Sequence, residues 1–522
     1  MKRTLITIIT CAGVLCSTAC KKFLDTTPTD FVSPANYYQN EEQVNAALTG
    51  VYDALGKSGT YGRYLWFEMD IADDSFYSLP SSVQDVALYN YSPADAKLLS
   101  TWTTLYQGIN QANMLLDNID KANMGQVAKD NARGQALFLR AYYYFILANN
   151  WGDVPLRLTA TATVSETDFP KSSYRAVYAQ VVSDMEKAAD MVSANTAYSY
   201  NSRVTKSVVW GMLARVNLKM AGAPMRDASR FAEARKWANK VMTDAPHSLN
   251  PDYKQVFKNM CAHIYDLKES IWEVEFNLKN GTQDEGGSVG VINGIGTTNP
   301  TVGYSYGAKR TTARYYNSFA LGDLRRDWSI SPYSYTSSTS SVQVPFTAAQ
   351  IYNRFDAKWR REFEGNSTKF TNTSAINFPL LRYADVLLMF AEAENEVNGP
   401  TAAAYNAVNL VRERAYGVPL GLATATQADL ATGFDKAAFR EAVRRERSLE
   451  LGYEGLRRFD LIRWSVFVPT MKAVANEITT GAGSTYSYGA RSGQNVTDRD
   501  TLFAIPAREL SVNPSMTQNK GF

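Results

Sequence analysis

The chain has 522 residues and a nearly balanced charge, with 54 Lys and Arg against 51 Asp and Glu and a formal net charge of +3. It has no basic block or arm, so the composition argues against a nucleic-acid partner. Tyrosine and tryptophan are abundant, at 31 and 9 residues, and their flat, amphipathic rings suit surfaces that contact ligands.

The N-terminus carries the pattern of a cleaved export signal. Lys2 and Arg3 precede an apolar run at 5–15, and small residues then lead to Cys20. The run is shorter than the ~20 residues that cross a bilayer. Cleavage before a cysteine is typical of bacterial lipoproteins, so we predict a signal peptide at 1–19 and lipidation of Cys20. The alternative is an ordinary secretory signal with a coincidental cysteine.

Helical periodicity dominates the rest of the chain. Apolar residues recur at i, i+3, i+4 and i+7, which predicts amphipathic helices. The stripes lie at 44–55, 105–119, 137–148, 177–192, 209–220, 231–241, 381–391, 404–415 and 439–446. Small alanines and short turns between these helices are typical of tetratricopeptide-like pairs, although no strict 34-residue period is present.

Two segments lack this periodicity. The segment 281–373 is rich in Gly, Ser, Thr, Tyr and Asn, and 479–495 reads TTGAGSTYSYGARSGQN. We predict that 281–373 is loop-rich and that 479–495 is an exposed loop. Loops on a rigid scaffold are where binding residues concentrate. The predicted fold is therefore mainly α, a scaffold of helix pairs with an irregular, loop-rich ligand-binding portion and little β-structure.

Catalytic motifs are weak throughout. Residues 286–290 spell G-x-S-x-G, the nucleophile elbow of serine hydrolases, but His247 and His263 both precede Ser288, whereas that fold places its histidine after the serine. We interpret the motif as a glycine-rich loop. Two unpaired histidines and Cys261, alone after position 20, argue against a zinc site, and no nucleotide-binding loop is present. We therefore predict neither an enzyme nor a cofactor.

A charged run covers 444–460. Spacings of three and four residues place opposite charges together along a helix and its successor, Glu454 beside Arg457 and Arg458 among them. We interpret this run as a structural ion-pair lattice that locks the last helices rather than as a reactive site.

Several blocks, in order along nearly the whole chain after Cys20, together resemble the SusD/RagB family of nutrient-uptake lipoproteins of Bacteroidota. The blocks are C-K-K-F-L-D at 20–25 with Pro28, R-G-Q-A-L-F-L-R-A-Y-Y-Y-F-I-L-A-N-N-W-G-D-V-P-L at 133–156, L-L-R-Y-A-D-V-L-L-M-F-A-E-A at 380–393, E-R-S-L-E-L-G-Y-E-G-L-R-R-F-D-L-I-R-W at 446–464, and I-P-A-R-E-L with N-P and Q-N at 505–519.

The resemblance implies a single unit over 20–522, with an N-terminal region at 20–245 and a C-terminal region at 246–522. It also implies an outer-membrane lipoprotein that faces the cell exterior and is held to the membrane by its lipid alone. Its partner would be a SusC-like TonB-dependent barrel, to which the protein delivers captured glycans. Two alternatives stay open: capture of peptides, as in RagB-type members, or a helical-repeat adaptor that binds only proteins.

A sugar presents apolar C–H patches ringed by hydroxyls, so its capture requires exposed aromatic faces beside polar groups. The stretches that combine aromatic and polar residues in this way are Asp73, Asp74, Phe76 and Tyr77; Tyr89 and Tyr91; Tyr304 and Tyr306; and Arg325 with Trp328. At most, Asp73 and Asp74 would ligate a structural calcium ion. Trp102, Trp151, Trp210 and Trp464 fall within helical blocks and are predicted to pack internally.

Overall fold

The computed structural model describes residues 37–161, 163, 166–278, 285–366, 368–422 and 424–522. The predicted signal peptide, Cys20 and the first family block lie outside these residues. Within them the protein is mainly helical with short strands, as predicted. None of the helices in these ranges is long and apolar enough to cross a membrane.

The longer helices of the N-terminal region follow the predicted stripes. They are α1 (Glu41–Gly56), α2 (Ala96–Asn118), α3 (Gln126–Trp151), α4 (Tyr174–Met191), α5 (Lys206–Ala221) and α6 (Arg230–Asp244). Helix α7 (Tyr253–Cys261), which the predicted stripes do not include, lies at the start of the C-terminal region. Side-chain caps start several of them: Asn40 accepts a hydrogen bond from the Gln43 amide, and Asp95 accepts from Lys97 and Leu98. Such caps satisfy amides that have no partner inside the helix.

The C-terminal region begins with short elements and ends in helices. Its helices are α8 (Ala313–Ser318), α9 (Arg326–Ser329), α10 (Tyr383–Asn398), α11 (Ala402–Ala415), α12 (Lys436–Leu451), α13 (Arg457–Arg463), α14 (Phe467–Gly481), α15 (Gly483–Tyr486), α16 (Arg491–Asn495) and α17 (Ala507–Val512). The predicted exposed loop at 479–495 is therefore wrong. A 3₁₀ turn at Ser487–Ala490 joins α15 to α16, and both helices pack on α14.

The strands form three antiparallel pairs. They are β1 (Ser75–Tyr77) with β3 (Lys309–Thr311), β2 (Ser270–Val274) with β6 (Phe378–Arg382), and β4 (Tyr333–Tyr335) with β5 (Gln343–Pro345). No helix follows directly on the G-x-S-x-G segment, because 289–295 consists of turns and bends. The structure therefore agrees with its interpretation as a glycine-rich loop.

Successive helices pack as pairs, and the two regions share one core. Helix α2 packs on α3, α3 on α4, and α5 on α6, while α10 of the C-terminal region packs on α6. The Arg215 guanidinium also meets the Asp385 carboxylate across this boundary at 2.6 Å. Trp102, Trp151 and Trp210 are buried as predicted, and Trp464 is half-buried.

Arginine and glutamate side chains form a buried lattice at the centre of the C-terminal region. Glu450 lies 2.7 Å from Arg414, 2.9 Å from Arg382 and 3.3 Å from Arg325, with all four side chains almost fully buried. Burial alone would raise the pKa of Glu450, but the three guanidinium groups hold it at about 2. The carboxylate therefore stays ionised and balances several buried cations.

The predicted lattice exists, but its local pairing is only partly right. Arg447 meets Asp460 on the next helix at 3.0 Å, so charges of the run do pair between a helix and its successor. Glu454, however, pairs with Arg382 at 2.8 Å and with Lys358 at 2.6 Å rather than with its sequence neighbours. Burial explains the difference, because an ion inside the protein needs a partner that reaches it from another element.

A second polar cluster makes stability depend on pH. His263 Nε2 lies 2.9 Å from Glu275 Oε1, and Ser202 donates to Glu275 Oε2 at 2.8 Å. The hydrogen bond to Glu275 raises the pKa of His263, and the same bond lowers the pKa of Glu275 to about 2. The contribution of His263 to the free energy of unfolding is fully present below its unfolded pKa of about 6.5. This contribution is lost as pH rises through the pKa of His263 in the folded state. The glutamate contribution is present above about 4.5 and is lost as pH falls towards 2.

We expect His263→Asn to lower the free energy of unfolding by about 1 kcal/mol at pH 5.5 and by less at pH 9. Asparagine tolerates the φ of +59° at this position, so the backbone is unchanged. Urea denaturation at both pH values measures the difference. The control is His247→Asn. Because burial lowers the pKa of His247, the decrease in the free energy of unfolding caused by this substitution should become smaller as pH falls. A His263→Asn effect that does not change with pH would contradict the assignment.

Candidate functional site

The acidic pair that the sequence singles out is engaged in the interior. Asp73 forms an ion pair with Arg457 at 2.6 Å. Asp74 accepts hydrogen bonds from the Ser75 hydroxyl at 2.9 Å and from the Tyr453 amide at 3.2 Å. Both aspartates are buried. Their carboxylates therefore tie the segment before β1 to the last helices and offer no open face to a ligand.

Three of the predicted tyrosines also serve packing. Tyr77 and Tyr89 are buried, and the Tyr89 hydroxyl donates to the Ile71 carbonyl at 2.6 Å. Tyr91 is half-buried, and its ring lies 5.5 Å from that of Phe522 near the C-terminus. Protein therefore covers Tyr77 and Tyr89, and part of Tyr91 remains open.

Arg325 and Trp328 lie in the interior as well. Arg325 is fully buried and pairs with Asp323 and Glu446 at 2.7 and 2.6 Å, within the ion lattice. The guanidinium of Arg360 lies 4.2 Å from the Trp328 ring centroid and covers it. Burial removes both residues from any ligand surface.

Tyr304 and Tyr306 are the predicted residues that keep an open face. Their rings meet edge to face with centroids 4.8 Å apart, and Tyr306 is 51% exposed while Tyr304 is half-buried. Their segment continues directly into β3. The pair is therefore connected through the backbone to the aromatic surface around β1 and β3.

That surface is a tyrosine cluster, which we define as Tyr352, Tyr486 and Tyr488 over Phe76. The Phe76 ring is buried and lies 6.2–6.3 Å from each of the three tyrosine rings. All three tyrosines are half-buried. Phe76 thus forms the floor of the cluster, and the tyrosines present their remaining faces to solvent.

Local sequence explains the close approach of these rings. Gly489 lies directly over Phe76, where an added Cβ would come within 2.6 Å of the ring. Only glycine lets the turn between α15 and α16 reach this position. That turn places the Tyr486 and Tyr488 rings 6.3 Å apart, each in contact with Phe76.

Arg310 provides the polar edge of the cluster. It pairs with Phe76 across the β1–β3 ladder, and its Nε donates to the Ser78 hydroxyl at 2.8 Å. Its guanidinium lies 5.3 Å from the Tyr486 ring centroid, and the Tyr488 and Ser78 hydroxyls are 3.1 Å apart. Burial lowers the pKa of Arg310, which nonetheless remains a cation at neutral pH.

The same arginine joins the cluster to a second group of rings. Its guanidinium lies 4.2 Å from the Phe355 ring, which packs with Tyr333, Tyr335 and Phe346. The Tyr333 hydroxyl donates to Glu362 at 2.6 Å. Phe355 and Tyr333 are themselves buried, so the half-buried Tyr335 and Phe346 are the rings of this group that remain partly open to a ligand.

Phe76 is the one predicted site residue that lies within the cluster, as its floor. Tyr352, Tyr486 and Tyr488 were not predicted, although the Y-S-Y sequence at 486–488 was a signal that could have indicated two of them. Within the described part of the chain, no group of three or more His, Cys, Asp or Glu side chains has the geometry of a metal site.

Known proteins resemble this chain along almost all of its length. The family model described as the SusD family matches residues 268–522, and one described as "Starch-binding associating with outer membrane" matches residues 22–218. A SusD-like protein of Formosa agariphila is 26% identical, with 96% of this chain and 95% of the relative covered.

Solved structures agree with the sequence matches. A SusD homologue from Bacteroides thetaiotaomicron is 30% identical, with a TM-score of 0.86 over 94% of this chain and 98% of the other. A structure named as a laminarin-binding SusD-like protein is 22% identical, with a TM-score of 0.72 over 93% of this chain and all of that one, and shares the fold. The two family models together with the 30% identical homologue show that this chain belongs to the SusD family.

Proposed function

We propose that this protein captures glycans at the cell surface and hands them unaltered to a SusC-like TonB-dependent barrel. The observation that carries the proposal is the tyrosine cluster, where three half-exposed rings stand beside Arg310 and Ser78. Rings of this kind pack against the C–H faces of a sugar, while the arginine and hydroxyls bond its oxygens.

The aromatic groups around the cluster suit a ligand that makes several contacts. Arg310 links the cluster to the group that holds the half-buried Tyr335 and Phe346, and the segment that leads into β3 carries Tyr304 and Tyr306. Several shallow contacts along one chain strengthen binding through avidity while each contact still exchanges quickly. Fast exchange suits a protein that must release its ligand to a transporter.

The comparisons support this ligand class. Structural relatives include a laminarin-binding SusD-like protein and surface glycan-binding proteins from Bacteroides species. These names describe binding proteins, which supports a role without catalysis. Lipidation of Cys20, display on the cell exterior and pairing with a barrel are part of the proposal and rest on family membership and on the N-terminal sequence.

The test is binding without turnover. We expect the purified mature chain to migrate more slowly in gels that contain at least one polysaccharide from a panel of neutral and acidic glycans. We also expect it to release no reducing sugar on long incubation. Release of reducing sugar, or no retardation by any glycan, would overturn the proposal. Affinity purification of the tagged protein from native membranes tests the partner, because the barrel should be recovered with it.

Peptide capture is a second candidate that one observation favours. Strand β5 is exposed along its whole length and pairs with β4 on one side, so it has a free edge. Extended peptides bind such edges by adding a strand. A peptide library passed over the immobilised protein tests this candidate. Retention of peptides that glycans do not displace would favour peptide capture.

A further inference from the structure

A cavity separate from the tyrosine cluster lies where the N-terminal helices meet the C-terminal region. Its volume is about 340 Å³, and helices α3, α5 and α14 contribute to its walls. Most of the lining side chains are apolar, among them Ala148, Pro224, Ile462, Phe467 and Leu502. A cavity of this size and character suits a small organic molecule.

Lys219 of α5 lines this cavity and lacks a partner for its charge. The residue is 1% exposed, and no acceptor in the described chain lies within hydrogen-bonding distance of its Nζ. Its Nζ lies 5.2 Å from the centroid of the Phe459 ring, a cation–π contact. A buried amine without an acceptor costs free energy, so the cavity is well suited to a ligand that supplies one.

Lys219 and the nearby Arg458 and Arg463 favour an anionic ligand, and the acidic residue of the lining, Asp498, is exposed. Burial and the two arginines together lower the pKa of Lys219 to about 7, against the opposing effect of Asp460. The Asn149 side chain also lines the cavity, and its buried Oδ1 has no hydrogen-bond partner. Amide orientation is interchangeable in such a site, so Asn149 in the flipped orientation donates to the same ligand.

We infer that this cavity binds a small aliphatic carboxylate, which accepts hydrogen bonds from Lys219 and Asn149 while its tail contacts Phe467 and Leu502. The inference does not depend on glycan capture, because no residue of the tyrosine cluster lines the cavity. A free acid and the C-terminus of an apolar peptide share this chemistry, and the probes below distinguish them.

Calorimetric titration with acetate, butyrate and hexanoate at pH 7 tests the site. We expect affinity to rise about three- to fourfold for each added methylene and 1-hexanol to bind at least tenfold more weakly than hexanoate. Lys219→Met keeps the length of the side chain and removes the amine, so it should weaken hexanoate at least tenfold. The control Lys187→Met, at an exposed position of α4, should bind as the wild type does.

Chemical labelling gives a second readout that needs no variant. Hexanoate should protect Lys219 from acetylation at pH 7.5, as measured by peptide mass spectrometry, while Lys187 is modified equally with and without it. Protection by N-acetyl-leucine as well as by hexanoate would identify a peptide C-terminus as the source. Absence of hexanoate binding, equal affinity in Lys219→Met, or labelling of Lys219 that hexanoate does not change would overturn the inference.

Discussion

Replacing Glu450 with glutamine is expected to lower the free energy of unfolding by about 3–5 kcal/mol, because it removes the charge that balances a buried cluster of cations. Arg325, Arg382 and Arg414 all contact this carboxylate at 2.7–3.3 Å. The three guanidinium groups would remain buried with one fewer anion among them. Desolvated charges of like sign then repel one another, which destabilises the folded state.

Thermal and urea unfolding of the purified protein measure the effect. The matched control is Glu441→Gln on the same helix, where the Glu441 side chain is 68% exposed and pairs with Arg444. An exposed pair contributes at most about 1 kcal/mol, so this variant should unfold almost as the wild type does. Equal effects of the two substitutions would show that the buried lattice does not determine stability.

Loss of the two tyrosines of the α15–α16 turn is expected to weaken glycan binding by about 30-fold or more. The double substitution Tyr486→Ala and Tyr488→Ala removes two of the three rings above Phe76. Truncating central aromatic contacts typically costs 2 kcal/mol or more, and 1.4 kcal/mol corresponds to a tenfold change in affinity. Because the rings are half-exposed, the fold should survive their removal.

The control for this prediction is Tyr198→Ala with Tyr200→Ala. These two rings are also half-buried and lie 5.5 Å apart, but they belong to the segment between α4 and α5. Titration with the polysaccharide that the wild type retains best should show a loss only in the first double variant, and melting curves confirm that both are folded. Wild-type affinity without Tyr486 and Tyr488 would place the glycan surface elsewhere.

The sequence alone predicted the helical framework well, because amphipathic periodicity is a local property. The stripe at 137–148 falls within α3, and the stripe at 381–391 falls within α10 except for Leu381, which lies in β6. Tertiary contacts bury the other faces of these two helices as well. The segment 479–495 was predicted wrongly because its structure depends on contacts with distant elements. Its glycines suggested a loop, whereas contact with Phe76 and α14 stabilises short helices there.

Sequence by itself determined the family and the kind of fold, since both depend on ordered motifs and on residue spacing. Only the tertiary structure decided which aromatic side chains reach the surface. Trp328, Tyr89 and Tyr306 all belong to stretches that combine aromatic and polar residues. Neighbouring elements cover Trp328 and Tyr89, whereas Tyr306 is left exposed. Exposure depends on contacts between residues far apart in the chain, as Phe76 with Tyr488 and Asp73 with Arg457 show, and such contacts leave no periodic trace in the sequence.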